Sequence, residues 1–168
     1  MCLKLLLITA CVKSAPVTRE YFQTYWHPAS DAAGQCCSMH RYGNVGDGGK
    51  MVCDADILGY STSPLLLSIG SNNEFSFETA MHTRYPSMQI HVYDGTVAHP
   101  TPPVYVTFHS HNVDVNTVLQ TDRERQMILK IDCEGCEFKL FQSLQLSQFQ
   151  QILIEVHGDF LSRTGVKG

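Results

Sequence analysis

The residues best suited to chemistry in this sequence sit where short apolar runs end. The segment Leu67-Ser-Ile-Gly-Ser-Asn-Asn-Glu-Phe-Ser-Phe-Glu78 passes from an apolar run through Gly70 into a helix-like stretch. In an open parallel sheet, ligands bind beyond the carboxyl ends of the strands, and a glycine there lets a ligand approach the backbone where a Cβ would intrude. Gly70, Ser71 and Asn72 are therefore candidate cofactor contacts. A lone glycine is not the G-x-G-x-x-G fingerprint, which disfavours a nicotinamide or flavin dinucleotide. Asp94 ends a second apolar run twenty-four positions after Gly70, near the roughly 20-residue spacing at which a carboxylate accepts from both ribose hydroxyls. An aspartate before glycine is also a common turn former, but joined to the Gly70 turn it points to an adenosyl-type ligand.

A third run ends in Leu129-Lys-Ile-Asp-Cys-Glu-Gly-Cys-Glu137. Asp132 is expected to project from the strand end toward the reactive centre. Glu134 and Glu137 open the following helix, where negative charge suits the helix dipole whether or not they touch a ligand. Cys133-x-x-Cys136 has zinc-ligand spacing, but the adjacent Cys36 and Cys37 make a poor second chelating pair. His109 and His111 alternate along one strand end and face the same side, near Asp132 and His157 in principle. That leaves a divalent ion as an alternative to loop histidines, and no metal site is assigned.

The elements that must position these residues are regular from residue 64 onward. Apolar runs at Leu65–Ile69, Gln89–Tyr93, Val104–Phe108, Met127–Ile131 and Gln151–Val156 read as strands. Helix-length segments at 74–83, 114–122 and 134–144 separate several of them, a pattern that argues for a parallel sheet covered on both faces. Ser71, three residues before Glu74, resembles a capping box. The proline-rich 98–103 stretch cannot be helical. Upstream, Tyr21, Phe22, Tyr25 and Trp26 share one face of a short amphipathic helix, and the glycines at 43–49 demand a loop. The expected fold class is α/β: a Rossmann-like open parallel sheet flanked by helices and truncated after the fifth strand, since little sequence follows it. Three regions result: 1–15, 16–63 and the Rossmann-like core 64–168.

With 168 residues, 43% of them hydrophobic, and a net charge of −4, the chain suits one domain with a real core. It lacks the basic patch that nucleic-acid binding requires. No apolar run reaches the roughly 20 residues of a transmembrane helix. Residues 1–15 combine Lys4, an apolar run from Leu5 to Val12, and small residues before Pro16. This reads as a signal peptide, hence a secreted or secretory-lumen protein; the alternative is an apolar N-terminal helix or strand in a cytoplasmic one. A bridge from Cys36 or Cys37 to Cys53 is the favoured disulfide in an oxidising compartment.

Taken in order, the segments Arg41–Cys53, Ser68–Glu78, Val92–Thr96, Leu129–Glu137 and Ile152–His157 resemble the ordered blocks of a methyltransferase-like domain. The group is that of the secreted methyltransferase-like proteins, distantly related to FkbM-type methyltransferases. The resemblance implies a class I fold binding S-adenosyl-L-methionine, with the Gly70 turn at the methionine end and Asp94 at the ribose. It also implies that Asp132 and Glu134 lie near the methyl group, and that the loop of Asp47, Gly48 and Gly49 closes over the cofactor. Lys50 stands where relatives often have an aromatic residue, and Gly95 where many have proline. Methyl transfer to an oxygen or nitrogen needs alignment and sometimes a base. His157 is the first candidate base because imidazole titrates near neutrality, and Asp132 is the second. The acceptor would be a small molecule or a glycan. The rival readings are an inactive secreted binding module that keeps this fold and a nucleotide-dependent oxidoreductase.

Overall fold

Leu65–Ile69 buries five side chains in succession, and only a strand covered on both faces offers that environment. In the computed structural model this segment is β4, the strand around which the sheet is built. The structure describes residues 6–8, 39–45, 47–53, 63–113, 127–137, 139–140 and 149–155. The expected helices at 17–27 and 114–122, and most of that at 134–144, lie outside them, as does His157.

The strands are β1 Leu6–Ile8, β2 Met39–Tyr42, β3 Lys50–Cys53, β4 Leu65–Ile69, β5 Gln89–Tyr93, β6 Val106–His109, β7 Met127–Ile131 and β8 Gln151–Glu155, with helix α1 at Ser76–Arg84 between β4 and β5. Six of them form one sheet in the order β1-β8-β7-β4-β5-β6, and β2 and β3 form a separate hairpin. The five strands from β8 to β6 are mutually parallel. This is the expected Rossmann-like α/β arrangement. The order reverses direction at β4: the chain steps outward through β5 to β6, then returns to β7 on its other side. Such a switch point leaves a crevice at the carboxyl ends, where ligands bind in sheets of this kind.

Register makes the crevice specific. Ile69 pairs with both Tyr93 and Ile131, so Gly70, Asp94 and Asp132, each one residue past its strand, stand abreast. Backbone bonds fix them there: Gly70 N donates to Tyr93 O at 2.9 Å, and Asp132 N donates to Ile69 O at 2.8 Å.

Helix α1 covers one face. Phe77 and Met81 are fully buried and join Leu66, Ile90, Val92, Val106 and Ile128 in one core cluster, each large side chain contributing about 1.5–3 kcal/mol by leaving water. The helix starts later than the sequence suggested, and Ser71 does not cap it. Asn72 and Asn73 take left-handed backbone angles of 45° and 61°, which asparagine tolerates, so the chain turns once more before Ser76. Glu74 Oε1 instead accepts from Ser76 N at 2.8 Å. Strand β6 starts two residues later than expected, because Val106 N closes a turn onto Pro103 O and leaves Val104 fully exposed.

Two features were not anticipated. The Gly-rich loop joins β2 to β3 as an antiparallel hairpin. It docks on β8 through Gln151, whose amide side chain pairs with both backbone groups of Cys53, at 3.0 and 2.6 Å. In addition, Leu6–Ile8, inside the expected leader, pairs antiparallel with β8. It thereby fills the edge beside the fifth parallel strand. No helix among the described residues is long and apolar enough to cross a membrane.

Candidate functional site

A cavity of about 790 Å³ opens at the carboxyl ends of β4, β5 and β7, within the roughly 300–1,000 Å³ typical of small-molecule sites. Gly70, Ser71 and Asn72 form one wall, Asp94 and Thr96 a second, Asp132, Cys133 and Glu134 a third, and Asp47 and Gly48 of the hairpin loop face them. Eight of the residues singled out from sequence thus share one rim. Gly49 does not line the cavity: it is buried in the hairpin, where its carbonyl accepts from Arg41 Nη2 at 3.2 Å.

Asp94 accepts from five donors at the rim. Its Oδ2 accepts from Ser71 N and Asn72 N, both at 2.9 Å, with Ser71 Oγ at 3.4 Å. Its Oδ1 accepts from Thr96 N at 2.9 Å and Thr96 Oγ1 at 2.6 Å. Burial pushes this carboxyl's pKa up, but the bonds from Thr96, Ser71 and Asn72 outweigh it and bring the value down to about 2. The carboxylate therefore clamps the Gly70 turn as well as facing the cavity. A carboxylate offers about four lone-pair sites, so hydroxyls of any ligand in the cavity would displace the two side-chain donors, Ser71 Oγ and Thr96 Oγ1, and leave the backbone donors in place.

The Gly70 turn is fixed from below. Its φ of 79° lies in the left-handed region, and a Cβ there would collide with the Asp132 carbonyl oxygen. The glycine is thus required by the approach of the third wall rather than by the cavity itself. Lys130, buried in β7, donates to Gly70 O at 2.9 Å and lies 3.7 Å from Glu78 Oε1 on α1. Glu78 Oε1 also accepts from Ser68 Oγ at 2.6 Å. One buried polar network therefore ties the turn to β4, β7 and α1.

Asp132 meets the other buried lysine. Lys50 Nζ, in the hairpin, lies 2.9 Å from both Asp132 Oδ2 and Glu155 Oε2. Burial alone would lower the Lys50 pKa, but the charge of Asp132 and the hydrogen bonds to Asp132 and Glu155 prevail and raise it above the usual lysine value. Asp47, Asp132 and Glu155 place oxygens within 4.8 Å of one another, and the Lys50 ammonium supplies positive charge to that cluster. Lys50, Thr96, Lys130 and Glu155 were not picked out as site residues. The available signal was a charged side chain inside an otherwise apolar strand, as in Met127–Ile131 and Gln151–Glu155.

Glu134 is exposed at the rim with φ 52°. Cys133 and Cys136 are bonded to each other, so neither sulfur is available as a thiolate ligand for zinc. Cys53 is also disulfide-bonded, and its partner lies outside the described residues. His109 and His111 are not in the cavity wall. His109 stacks on Tyr93, with 4.2 Å between ring centroids, and its Nε2 meets His91 Nδ1 at 3.1 Å. Burial first, and then the neighbouring His91 and His111, hold the His109 pKa below the ordinary imidazole value.

The architecture and the cavity have a counterpart among protein families. A methyltransferase domain family matches this chain over residues 11–116 and 104–165, together most of its length. Comparison with curated proteins and with solved structures returns no match.

Proposed function

Since the chain belongs to the methyltransferase domain family, we propose that its cavity binds S-adenosyl-L-methionine and transfers the methyl group to an oxygen or nitrogen of a small-molecule or glycan acceptor. The observation that carries this reading is the convergence of the Gly70 turn, Asp94 and Asp132 on one cavity.

The residues present suit such a ligand. Among the described residues, carboxylates from Asp47, Glu74, Asp94, Asp132 and Glu134 line the cavity against Lys130 and Lys139, and this surplus of negative charge complements a sulfonium that also carries an ammonium. When bound, the cofactor supplies an activated methyl group on a positively charged sulfur. Asp94 would hold the ribose hydroxyls at its two exchangeable positions. The Gly70–Asn72 backbone, kept in place by Asp94 and Lys130, would seat the methionine end. Lys50 holds Asp132 at the carboxyl end of β7, and Asp132 and Glu134, both on the cavity wall, would align an acceptor or take its proton. His157 remains a candidate base from sequence. The disulfides at Cys53 and Cys133–Cys136 favour an oxidising compartment, in line with the secreted reading.

Calorimetry of the purified chain with S-adenosylmethionine and with NAD tests the cofactor, and radiolabelled methyl transfer into acceptor extracts tests turnover. Binding of the sulfonium compound with label incorporation is the expected result. Binding without incorporation into any extract would support the inert module, and binding of NAD alone would overturn the cofactor reading.

A further inference from the structure

Methyl transfer makes no use of a disulfide, yet Cys133 and Cys136 bond each other on the cavity wall. Both are half-buried, within reach of a dithiol. Between them Glu134 and Gly135 are both left-handed, with φ of 52° and 113°. Glycine adopts that region freely, whereas a glutamate stays there only when its surroundings over-determine it. Packing does not supply that constraint on the outer side: Glu134 is exposed, and a Cβ on Gly135 would meet nothing within 4 Å. The covalent bridge across the two residues supplies it, together with the Gly135 N–H that donates to Glu137 Oε2 at 2.8 Å.

The bridged loop also abuts the cofactor turn. A Cβ on Gly70 would strike the Asp132 carbonyl oxygen and come within 3.2 Å of Cys133 Cα. Any relaxation of 133–136 is therefore felt at Gly70.

We propose that Cys133–Cys136 is a thiol–disulfide exchange site, reduced by a dithiol, whose oxidised form holds the cavity rim in its ligand-binding shape. The proposal rests on the reading of this cavity as the cofactor site. The first thiolate of the reductant attacks Cys136 Sγ and the S–S bond breaks. Cys133 takes a proton from solvent as it leaves, and the resulting thiol donates to Glu137 Oε2, which lies 3.5 Å from its Sγ, so that a thiol and not a thiolate forms beside that carboxylate. The second thiolate of the reductant then attacks its own sulfur in the mixed disulfide and releases Cys136, which is protonated in turn. Two electrons and two protons pass from the reductant, which ends as a disulfide, to the cysteine pair.

The full-length oxidised chain is equilibrated with reduced and oxidised dithiothreitol, trapped with iodoacetamide and mapped by mass spectrometry. S-adenosylmethionine affinity and hydrogen exchange at Gly70–Asn72 are measured in both states. Reduction of Cys133 and Cys136 in the folded chain should lower affinity about tenfold, inside the roughly 5–150-fold range of coupling between sites, and speed exchange at the turn. The C133S/C136S variant should behave like the reduced chain and ignore dithiothreitol; if it does not fold, the two wild-type states decide alone. Three results would each overturn the proposal: reduction of this pair only in denaturant, identical exchange and affinity in both states, or an equal dithiothreitol effect in C133S/C136S, which would assign the effect to the Cys53 bridge. If neither state binds S-adenosylmethionine, the cofactor reading fails, and the exchange rates at Gly70–Asn72 still decide this one.

Discussion

Replacing Asp94 by asparagine keeps the shape of the side chain and removes its charge, which isolates what the carboxylate does for the turn. In the folded chain its pKa is about 2 against an ordinary 3.8, and a drop of nearly two units corresponds to about 2 kcal/mol of stability. Because the folded value is depressed, that contribution is complete above the ordinary carboxyl pKa and is lost as pH falls through the folded one. The substituted amide would still accept on one side, but its NH2 would face N–H donors from Ser71 and Asn72 or from Thr96. The D94N variant should therefore be destabilised by at least about 2 kcal/mol near neutrality. Urea unfolding of both proteins from about pH 7 to about pH 2 measures the gap. It should be constant down to about pH 4 and close below that, as the wild-type carboxyl takes up its own proton. A gap that does not change with pH would refute the claim that ionisation of Asp94 stabilises the Gly70 turn.

Two further substitutions probe the walls of the cavity. Lys50→Met removes the ammonium between Asp132 and Glu155 and should cost about 3–5 kcal/mol in chemical unfolding, as breaking a buried pair does; adding Glu155→Gln should restore part of it, and no recovery would mean that Lys50 acts through packing. Gly70→Ala forces a Cβ against the Asp132 carbonyl at a left-handed position and should cost at least about 1–3 kcal/mol in thermal unfolding while weakening S-adenosylmethionine binding; a variant of native stability would mean that this approach of the two walls is not tight.

What the sequence disclosed follows from how each segment is buried. β4, β5 and β7 begin and end where their apolar runs do: β4 is buried along its whole length, as a central strand of a parallel sheet covered on both faces is, while β5 alternates exposed Gln89 and half-buried His91 with buried Ile90 and Val92, the period of a strand. The β2 strand was illegible for the opposite reason: Met39-His-Arg-Tyr42 has a half-buried residue, two exposed ones and a buried one, a pattern with no period. The helix boundary was misplaced because Ser71 bonds Asp94, a partner distant in sequence, while Asn72 and Asn73 extend the turn. At the site, Gly70, Asp94 and Asp132 were readable because the first residue after a strand end has a defined place on the rim. Lys50 and Glu155 were not, because their meeting depends on how a hairpin docks onto β8, which no local pattern encodes.

The pairing of Leu6–Ile8 with β8 joins two strands far apart in the chain, the first and the last among the described residues. During translation at roughly 5–20 residues per second, the early strand leaves the ribosome on the order of ten seconds or more before its partner is synthesised. Throughout that delay an apolar segment with no β8 to bind is presented to whatever captures nascent chains. Capture of this segment by another partner and completion of the sheet thus compete for the same residues, and the order of synthesis gives capture the first opportunity.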